Sequence, residues 1–144
     1  MIEKDTIRLL RECDAGVKMG VSSIEDVLPD VKNSDLKKLL ADCKDKHEIL
    51  TEDIEKLLDK YNDEGKNPNP IAQGMSWIKT NFKLATDKSD NTIAELMTDG
   101  CDMGVKSLSR YLNQYAAADE KSKDIASRLI NLEADLSSEL REFL

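Results

Sequence analysis

Apolar residues recur every three or four positions through four long stretches of the chain, which is the period of an α-helix with one buried face. The first stretch, 5–28, ends before Pro29, because proline disfavours the helical conformation in the residue that precedes it. The second, 34–61, carries a heptad seam, with Ser34 as its predicted N-cap. The seam consists of Leu36, Leu40, Cys43, His47, Leu50, Ile54, Leu57 and Tyr61. These two stretches predict a helical hairpin over 5–61.

A loop rich in proline and asparagine, 62–70, follows this hairpin. A third, shorter helix is predicted to begin near Pro70, since proline suits the first turn of a helix. This helix carries Trp77, the only tryptophan of the chain. Trp77 either anchors the helix on the rest of the molecule or belongs to a dimer or partner surface.

After a break at 86–90 the helical pattern resumes in a second hairpin, 90–144. Asp119 is the predicted cap of its last helix. The chain is therefore expected to fold as one all-α domain over 1–144, with an extra helix in the crossover at 62–89.

A short sequence occurs twice in the chain. Cys-Asp-Ala-Gly-Val-Lys at 13–18 returns as Cys-Asp-Met-Gly-Val-Lys at 101–106, with five of six residues identical and an offset of 88. Both copies lie in the middle of the first helix of a predicted hairpin. The second helices align with an offset of 86, so the second hairpin has a turn two residues shorter. The repeat predicts two related hairpins that pack about a pseudo-twofold axis.

The order of hairpin, long crossover and hairpin, together with three local sequences, resembles that of the ferritin-like superfamily. The local sequences are Gly74-Met75-Ser76-Trp77, Asp87-Lys88-Ser89 and Ile93-Ala94-Glu95-Leu96-Met97. They look like those of an uncharacterised bacterial branch in which a Trp-bearing crossover helix precedes the second hairpin. The resemblance implies a ferritin-like up-down bundle of two repeated hairpins, and it implies a function only by analogy.

The resemblance also implies a di-iron or di-manganese site, which needs specific ligands. Two helices each supply a carboxylate, and the other two each supply a Glu-x-x-His sequence. The residue three positions before His47 is Lys44, and the corresponding pair in the second hairpin is Ile130 and Glu133. The positions where the first helices should present an inward glutamate hold cysteines, Cys13 and Cys101. The sequence therefore predicts that the di-metal site has been lost.

Cys13, Cys43, His47 and Cys101 are the remaining candidates for metal chemistry, as an unusual site for zinc or iron. Cys43 and His47 lie four residues apart on one seam, and Cys13 and Cys101 occupy repeat-related positions. The alternative is that the cysteines are small buried apolar residues and that His47 is satisfied by one hydrogen bond to a neighbour. The sequence predicts no catalytic residue and no resident cofactor.

A Gly-x-x-x-Gly pair occurs in the first helix of each predicted hairpin. The pairs are Gly16 with Gly20, and Gly100 with Gly104. Glycine inside a helix is less favourable than alanine by about 1 kcal/mol, so these positions call for a structural reason. The glycines either let two helices approach closely or leave room for a small-ligand pocket.

The chain has a formal net charge of −8 and a pI of about 4.7. An acidic surface repels phosphate groups, which opposes a nucleic-acid partner and binding to anionic membranes. No apolar run approaches the ~20 residues that span a bilayer, and the first residues lack the basic and apolar regions of a signal peptide. Three widely spaced cysteines are typical of reduced thiols, so we expect a cytoplasmic protein.

Two classes of function remain open from the sequence. The first is a non-catalytic ferritin-like protein that acts through binding or self-assembly, with a homo-oligomer or a protein partner expected. The second is a metal-binding protein or oxidoreductase of the same fold with unusual cysteine and histidine ligands. The missing carboxylate ligands favour the first class over an enzyme.

Overall fold

The computed structural model describes residues 3–66 and 77–144. Within those two ranges all regular structure is helical, which confirms the predicted all-α class. The helices are α1 (Lys4–Val27), α2 (Ser34–Lys60), α3 (Trp77–Leu84), α4 (Asp90–Gln114) and α5 (Glu120–Glu139), with 3-10 turns at Leu28–Asp30 and Leu140–Phe143. The predicted start of the third helix near Pro70 lies outside the described residues. None of the described helices is both long and apolar enough to cross a membrane.

Side-chain caps mark where three of the helices begin. The Asn33 side chain accepts hydrogen bonds from the backbone N–H groups two and three residues further on. The predicted cap at Ser34 is therefore wrong by one residue, since Ser34 is the first residue of α2. Ser89 caps α4 and Asp119 caps α5, each by accepting from the N–H three residues on. These caps satisfy N–H groups that no carbonyl within the helix can reach.

Hydrogen bonds between the ends of the helices show the direction of each one. Asp90, the first residue of α4, accepts from the backbone N–H groups of Lys32 and Asn33 at 2.9 Å, so α2 and α4 start at the same end. At the other end, where α1 and α5 start, the hydroxyl of Thr6 accepts from the N–H of Asp119. The chain therefore runs up, down, down and up through α1, α2, α4 and α5. The crossover between α2 and α4 returns the chain along the length of the bundle.

The described part of the crossover packs against α1 and α4. Just after α2, the backbone N–H of Lys66 donates to the buried carboxylate of Asp14 at 2.9 Å. The ammonium group of Lys66 pairs with Glu12, also on α1, at 2.6 Å. Further on, α3 contacts both α1 and α4 and buries Ile78 and Phe82 in the core. The helix α3 therefore covers part of the groove between α1 and α4.

Two apolar clusters form the core, one toward each end of the bundle. Between them lies what we call the middle layer, with one residue from each long helix. The middle layer consists of Gly20 on α1, His47 on α2, Gly104 on α4 and Glu133 on α5. On each helix this residue falls between members of the two clusters. The polar pair His47 and Glu133 thus occupies the middle of the bundle, and the two glycines face its side chains.

The heptad seam of α2 matches the buried face of the helix as far as Ile54. Beyond that point Leu58 is buried, whereas the predicted residues Leu57 and Tyr61 are only half-buried. A straight α-helix drifts by about 20° per heptad relative to a strict seven-residue repeat, so the buried stripe moves round the helix along its length. Leu57 and Tyr61 still pack against the apolar cluster at this end, so the last two seam residues lie at the edge of the buried face.

Candidate functional site

A buried ion pair joins α2 to α5 in the middle layer. His47 is 1% exposed, and its Nε2 lies 3.1 Å from Oε1 of Glu133. On the other side of the ring, Nδ1 lies 2.8 Å from the backbone carbonyl oxygen of Cys43. Both neighbours are hydrogen-bond acceptors, so both ring nitrogens donate and the imidazole is positively charged. Glu133 balances this charge inside the bundle.

The surroundings of His47 raise its pKa to about 10. Burial by itself favours the neutral ring and would lower the pKa. The hydrogen bonds with Cys43 and Glu133, and the negative charge of Glu133, outweigh burial. The ring therefore stays protonated at neutral pH, and neither ring nitrogen has a lone pair to offer a metal ion.

Gly20 and Gly104 border this ion pair from α1 and α4. A Cβ atom on Gly20 would lie 2.6 Å from both Cδ2 and Nε2 of His47, closer than real Cβ atoms come to other heavy atoms. A Cβ atom on Gly104 would lie 3.6 Å from the carboxyl carbon of Glu133, which is an ordinary contact distance. The ring of His47 therefore fits only because residue 20 has no side chain, whereas position 104 has room for a methyl group.

The other two glycines face different neighbours. A Cβ atom on Gly16 would lie 3.4 Å from a methyl group of Leu129, within the core. A Cβ atom on Gly100 would lie 3.1 Å from Cδ1 of Ile78, where α3 rests on α4. Close packing thus accounts for Gly100 and the ring of His47 for Gly20, whereas positions 16 and 104 would each admit a methyl group.

Cys101 extends the polar cluster, and Cys13 lies apart from it. Burial, followed by the nearby carboxylate of Glu133, raises the pKa of the Cys101 thiol well above its ordinary value. Cys13 belongs to the apolar cluster where α1 and α5 start, and burial, followed by the charges of Glu12 and Asp14, raises its pKa to about 12. Both thiols are therefore protonated at neutral pH and are poor nucleophiles.

The four residues predicted as metal ligands do not converge on one point. Cys43 and His47 are neighbours on α2, with Sγ 3.6 Å from Nδ1, and Cys101 lies near Cys43 and Glu133. Cys13 lies in the other core cluster. Within 3–66 and 77–144, no group of three or more histidine, cysteine, aspartate or glutamate side chains is placed to hold a metal ion. The residues present do not fit the di-metal centre that a ferritin-like bundle would imply.

A cavity of about 440 Å³ extends from the middle layer to α3, between α1 and α4. The ion pair, Cys101 and all four glycines line it. The larger apolar side chains of its wall are Met19, Met97, Met103, Trp77, Ile78 and Tyr111. Small-molecule sites commonly have this volume and this character, mostly apolar with a few polar groups that converge on one place.

The two ends of the cavity differ in polarity. Where α2 and α4 start, the wall is mostly apolar, with the buried side chains Ile24, Ile78 and Met97 beside Ser23. At the opposite end Lys66 pairs with Glu12, and Tyr111 lies near the same carboxylate. The cavity therefore has one apolar end and one polar end.

The rim of the cavity carries exposed apolar surface. Trp77 is 39% exposed and Met103 is 42% exposed. Lys66 and Trp77, which flank residues 67–76, both line the cavity. Trp77 thus lies at the rim with one edge exposed, and its role in an interface stays a prediction.

A second hollow of about 440 Å³ lies on the other side of the ion pair, between α2 and α5. Cys43 and Leu136 lie at its base. Its rim carries five carboxylates and two lysines, which are Asp35, Asp42, Asp135, Glu139, Glu142, Lys38 and Lys46. Much of the negative charge of the chain is therefore concentrated on this face.

Sequence reasoning missed Glu133 as the partner of His47. The signal that could have found it is the spacing, because the two residues are 86 positions apart, which is the offset between the second helices of the predicted repeat. Residues at equivalent positions of two helices that pack about a twofold axis face each other across that axis. The repeat itself stays a prediction, and the contact is consistent with it.

No family model matches the chain, and no curated protein matches it. Among solved structures, the chain is similar to the crystal structure of a conserved hypothetical protein, Rv2844, from Mycobacterium tuberculosis. The two chains are 14% identical, with a TM-score of 0.73 over 100% of each chain. At that identity the similarity shows a shared helical fold and nothing about function.

Proposed function

We propose that this chain is a non-catalytic ferritin-like bundle that binds a small apolar molecule between α1 and α4. The observation that carries the proposal is the cavity of about 440 Å³ beside the middle layer. The Glu-x-x-His positions of the superfamily fall at this level, where this chain has His47 and Glu133. A closed ion pair and two glycines occupy it in place of metal-binding carboxylates. The cavity beside this layer is therefore proposed to hold a small apolar molecule instead of a metal.

The path of the chain supports the ferritin-like part of the proposal. Up, down, a long crossover, down and up is the connection of ferritin-like bundles, which have one long crossover. The extra helix α3 lies in that crossover, as in the branch that the sequence resembles. The fold similarity to Rv2844 over the full length of both chains is consistent with this assignment.

The chemistry of the cavity wall supports a binding role over a catalytic one. A general base needs a free lone pair, and a nucleophilic cysteine needs its thiolate form. Both nitrogens of His47 are donors, and Cys101 holds its proton because its pKa is raised. Glu133 accepts a hydrogen bond from Nε2 of His47 and lies near the Cys101 thiol. The polar groups of the wall therefore satisfy one another.

The proposal also includes an association through the rim of the cavity. The exposed edges of Trp77 and Met103 favour a second copy or a protein partner there, because exposed aromatic and methionine side chains are enriched at interfaces. Light scattering coupled to size-exclusion chromatography would measure the mass in solution. A monomeric mass at all concentrations would refute self-association but would not affect the proposed binding of a small molecule.

The binding role can be tested with a fluorescent probe and a matched pair of variants. The uncharged probe N-phenyl-1-naphthylamine should bind one molecule per chain and quench the fluorescence of Trp77 at the rim. Ser107 lines the cavity, whereas Ser109 is equally half-buried on α4 and is not part of its wall. Ser107→Phe fills the cavity and should weaken binding by about tenfold or more, whereas Ser109→Phe should leave it unchanged.

Circular dichroism would first establish that both variants keep the helix content and melting temperature of the parent chain. Binding that never saturates would refute the proposed function. So would equal losses of affinity in the two serine variants.

A further inference from the structure

The charges that line the cavity cancel within it. His47 pairs with Glu133 at 3.1 Å, and Lys66 pairs with Glu12 at 2.6 Å. Among the lining residues that the structure describes, no other carries a charge. At the exposed end the charges of Lys66 and Glu12 cancel, and further in an ion would lose its water without a counter-charge, which is strongly unfavourable. The lining therefore selects against both anionic and cationic ligands.

The cavity is long in one direction. Its wall on α1 runs from Glu12 to Ile24, twelve residues of helix, or about 18 Å at the rise of an α-helix. Its wall on α4 runs from Met97 to Tyr111 in the opposite direction. A volume of about 440 Å³ spread over this length is narrow, which suits an extended chain better than a fused-ring molecule.

The wall also has a polarity along its length. Ile24, Ile78 and Met97 form a mostly apolar end, with Ser23 beside them. The opposite end offers hydrogen-bonding groups in Lys66 and Tyr111, and Lys66 is exposed to solvent. Between the ends, Met19 and Met103 provide flexible, polarisable side chains that adapt to hydrocarbon of varied shape.

We infer that the ligand is an uncharged amphiphile with a single hydrocarbon chain, of the long-chain alcohol or ester type. The hydrocarbon lies against Ile24 and Met97, and the polar group lies beside Lys66 and Tyr111 near solvent. This inference rests on the proposed function, and it names the class of ligand. It uses the charge balance of the cavity, its length and its two unlike ends.

Three probes of equal chain length and different charge test the class of ligand. They are decan-1-ol, decanoate and decylammonium, each used near neutral pH to displace N-phenyl-1-naphthylamine from the protein. Decan-1-ol should displace the probe at concentrations lower than those of either ion by about tenfold or more. Equal or stronger displacement by decanoate or decylammonium would overturn the inference. The inference would also be overturned if none of the three compounds displaced bound N-phenyl-1-naphthylamine from the cavity.

Two variants of the Glu12–Lys66 pair test whether its charges select the ligand or only support the structure. Glu12→Gln leaves Lys66 without its partner and should improve displacement by decanoate. Lys66→Gln leaves Glu12 without its partner and should improve displacement by decylammonium. A structural role would weaken all three compounds alike, and such a result would overturn the inference. If naphthylamine itself fails to bind the unmodified protein, the proposed function fails rather than the choice of ligand class.

Discussion

Gly16 and Gly20 lie one turn apart on α1, yet a methyl group should have opposite effects at the two positions. Alanine is favoured over glycine inside a helix by about 1 kcal/mol, so Gly16→Ala, with ordinary contacts to Leu129, should be neutral or stabilising. At position 20 the new Cβ would overlap the ring of His47, which cannot move because both its nitrogens are bonded. Gly20→Ala should therefore destabilise the fold by about 1–3 kcal/mol. Urea unfolding of both variants would measure this, and a Gly20→Ala protein as stable as Gly16→Ala would contradict it.

The ion pair of His47 should give the stability a distinctive dependence on pH. The groups that face the imidazole are Glu133 on α5, Cys43 on its own helix and Gly20 on α1, with Cys101 of α4 behind Glu133. Because the pKa of His47 is raised from 6.5 to about 10, its contribution is complete below pH 6.5 and is lost as the pH rises through about 10. His47→Gln leaves Glu133 buried without a counter-charge, which should cost roughly 3 kcal/mol near pH 6.

The measurement is the difference in unfolding free energy between the parent chain and His47→Gln at intervals from pH 6 to pH 10. The difference should shrink as the pH rises, and a difference that stays constant would show that the charge of His47 is not responsible. Glu133→Gln serves as the control, because removal of the carboxylate should flatten the same pH dependence.

At the scale of single residues, the sequence indicated that His47 is buried on a seam and satisfied by hydrogen bonds, but it did not identify the acceptor. Which side chains meet across two helices depends on the rotation of each helix about its axis, and apolar periodicity defines that rotation only coarsely. Asp14 shows the same limit. It lies beside the predicted inward position of Cys13, and in the structure its carboxylate holds the backbone of Lys66.

At the scale of the helix, Asp119 should be the most informative cap. Its carboxylate accepts from the N–H of Ser122 at 2.9 Å, and its own N–H donates to Thr6 on α1. Burial tends to raise the pKa of Asp119, but the hydrogen bonds from Ser122 and Tyr61 outweigh it and lower the pKa below 3.8. The ionised cap therefore stabilises the fold at neutral pH, and this contribution is lost as the pH falls through the lowered pKa.

Asp119→Ala should cost about 1 kcal/mol near neutral pH and less in acid, because the parent chain loses the same contribution there. Asn is a comparable cap that cannot ionise, so Asp119→Asn is the matched control and should lose much less. Thermal unfolding at several pH values would compare the three proteins. If the asparagine variant were as unstable as the alanine variant, capping would not explain the role of this residue.

The helices were predictable from the sequence to within a few residues, and the crossover was not. Long amphipathic stretches repeat one signal many times, and Pro29 and Asp119 mark boundaries with local chemistry that is easy to recognise. The crossover has one short helix, and its described contacts depend on single residues. Asp63 pairs with Arg11 and Lys66 pairs with Glu12, and both partners are on α1. Such contacts have no periodicity, so no local sequence pattern predicts them.

For the whole molecule, the middle layer places a polar pair between two apolar clusters of the bundle. Two identical charged residues facing each other at this level would repel, and two identical apolar residues would leave the layer without polar groups. His47 and Glu133 are unlike and attract each other, and the backbone carbonyl of Cys43 accepts from the other ring nitrogen. A satisfied polar cluster between two apolar clusters also favours one register of the helices over others, since any slip would leave its members unpaired.

The last prediction concerns the metal content of the whole protein. A metal in the bundle would have to displace the proton of His47 and the hydrogen bonds that hold Glu133, and Cys13 is too far from this cluster to help. Protein purified without a histidine tag should therefore contain well under one iron, manganese or zinc per chain by elemental mass spectrometry, also after incubation with each metal. One metal ion per chain that is lost in His47→Gln and Cys43→Ser, but kept in Cys13→Ser, would instead establish the metal-binding alternative. The Cys13→Ser variant distinguishes the two outcomes, because a thiol in the other core cluster should have no effect on a metal bound in the middle layer.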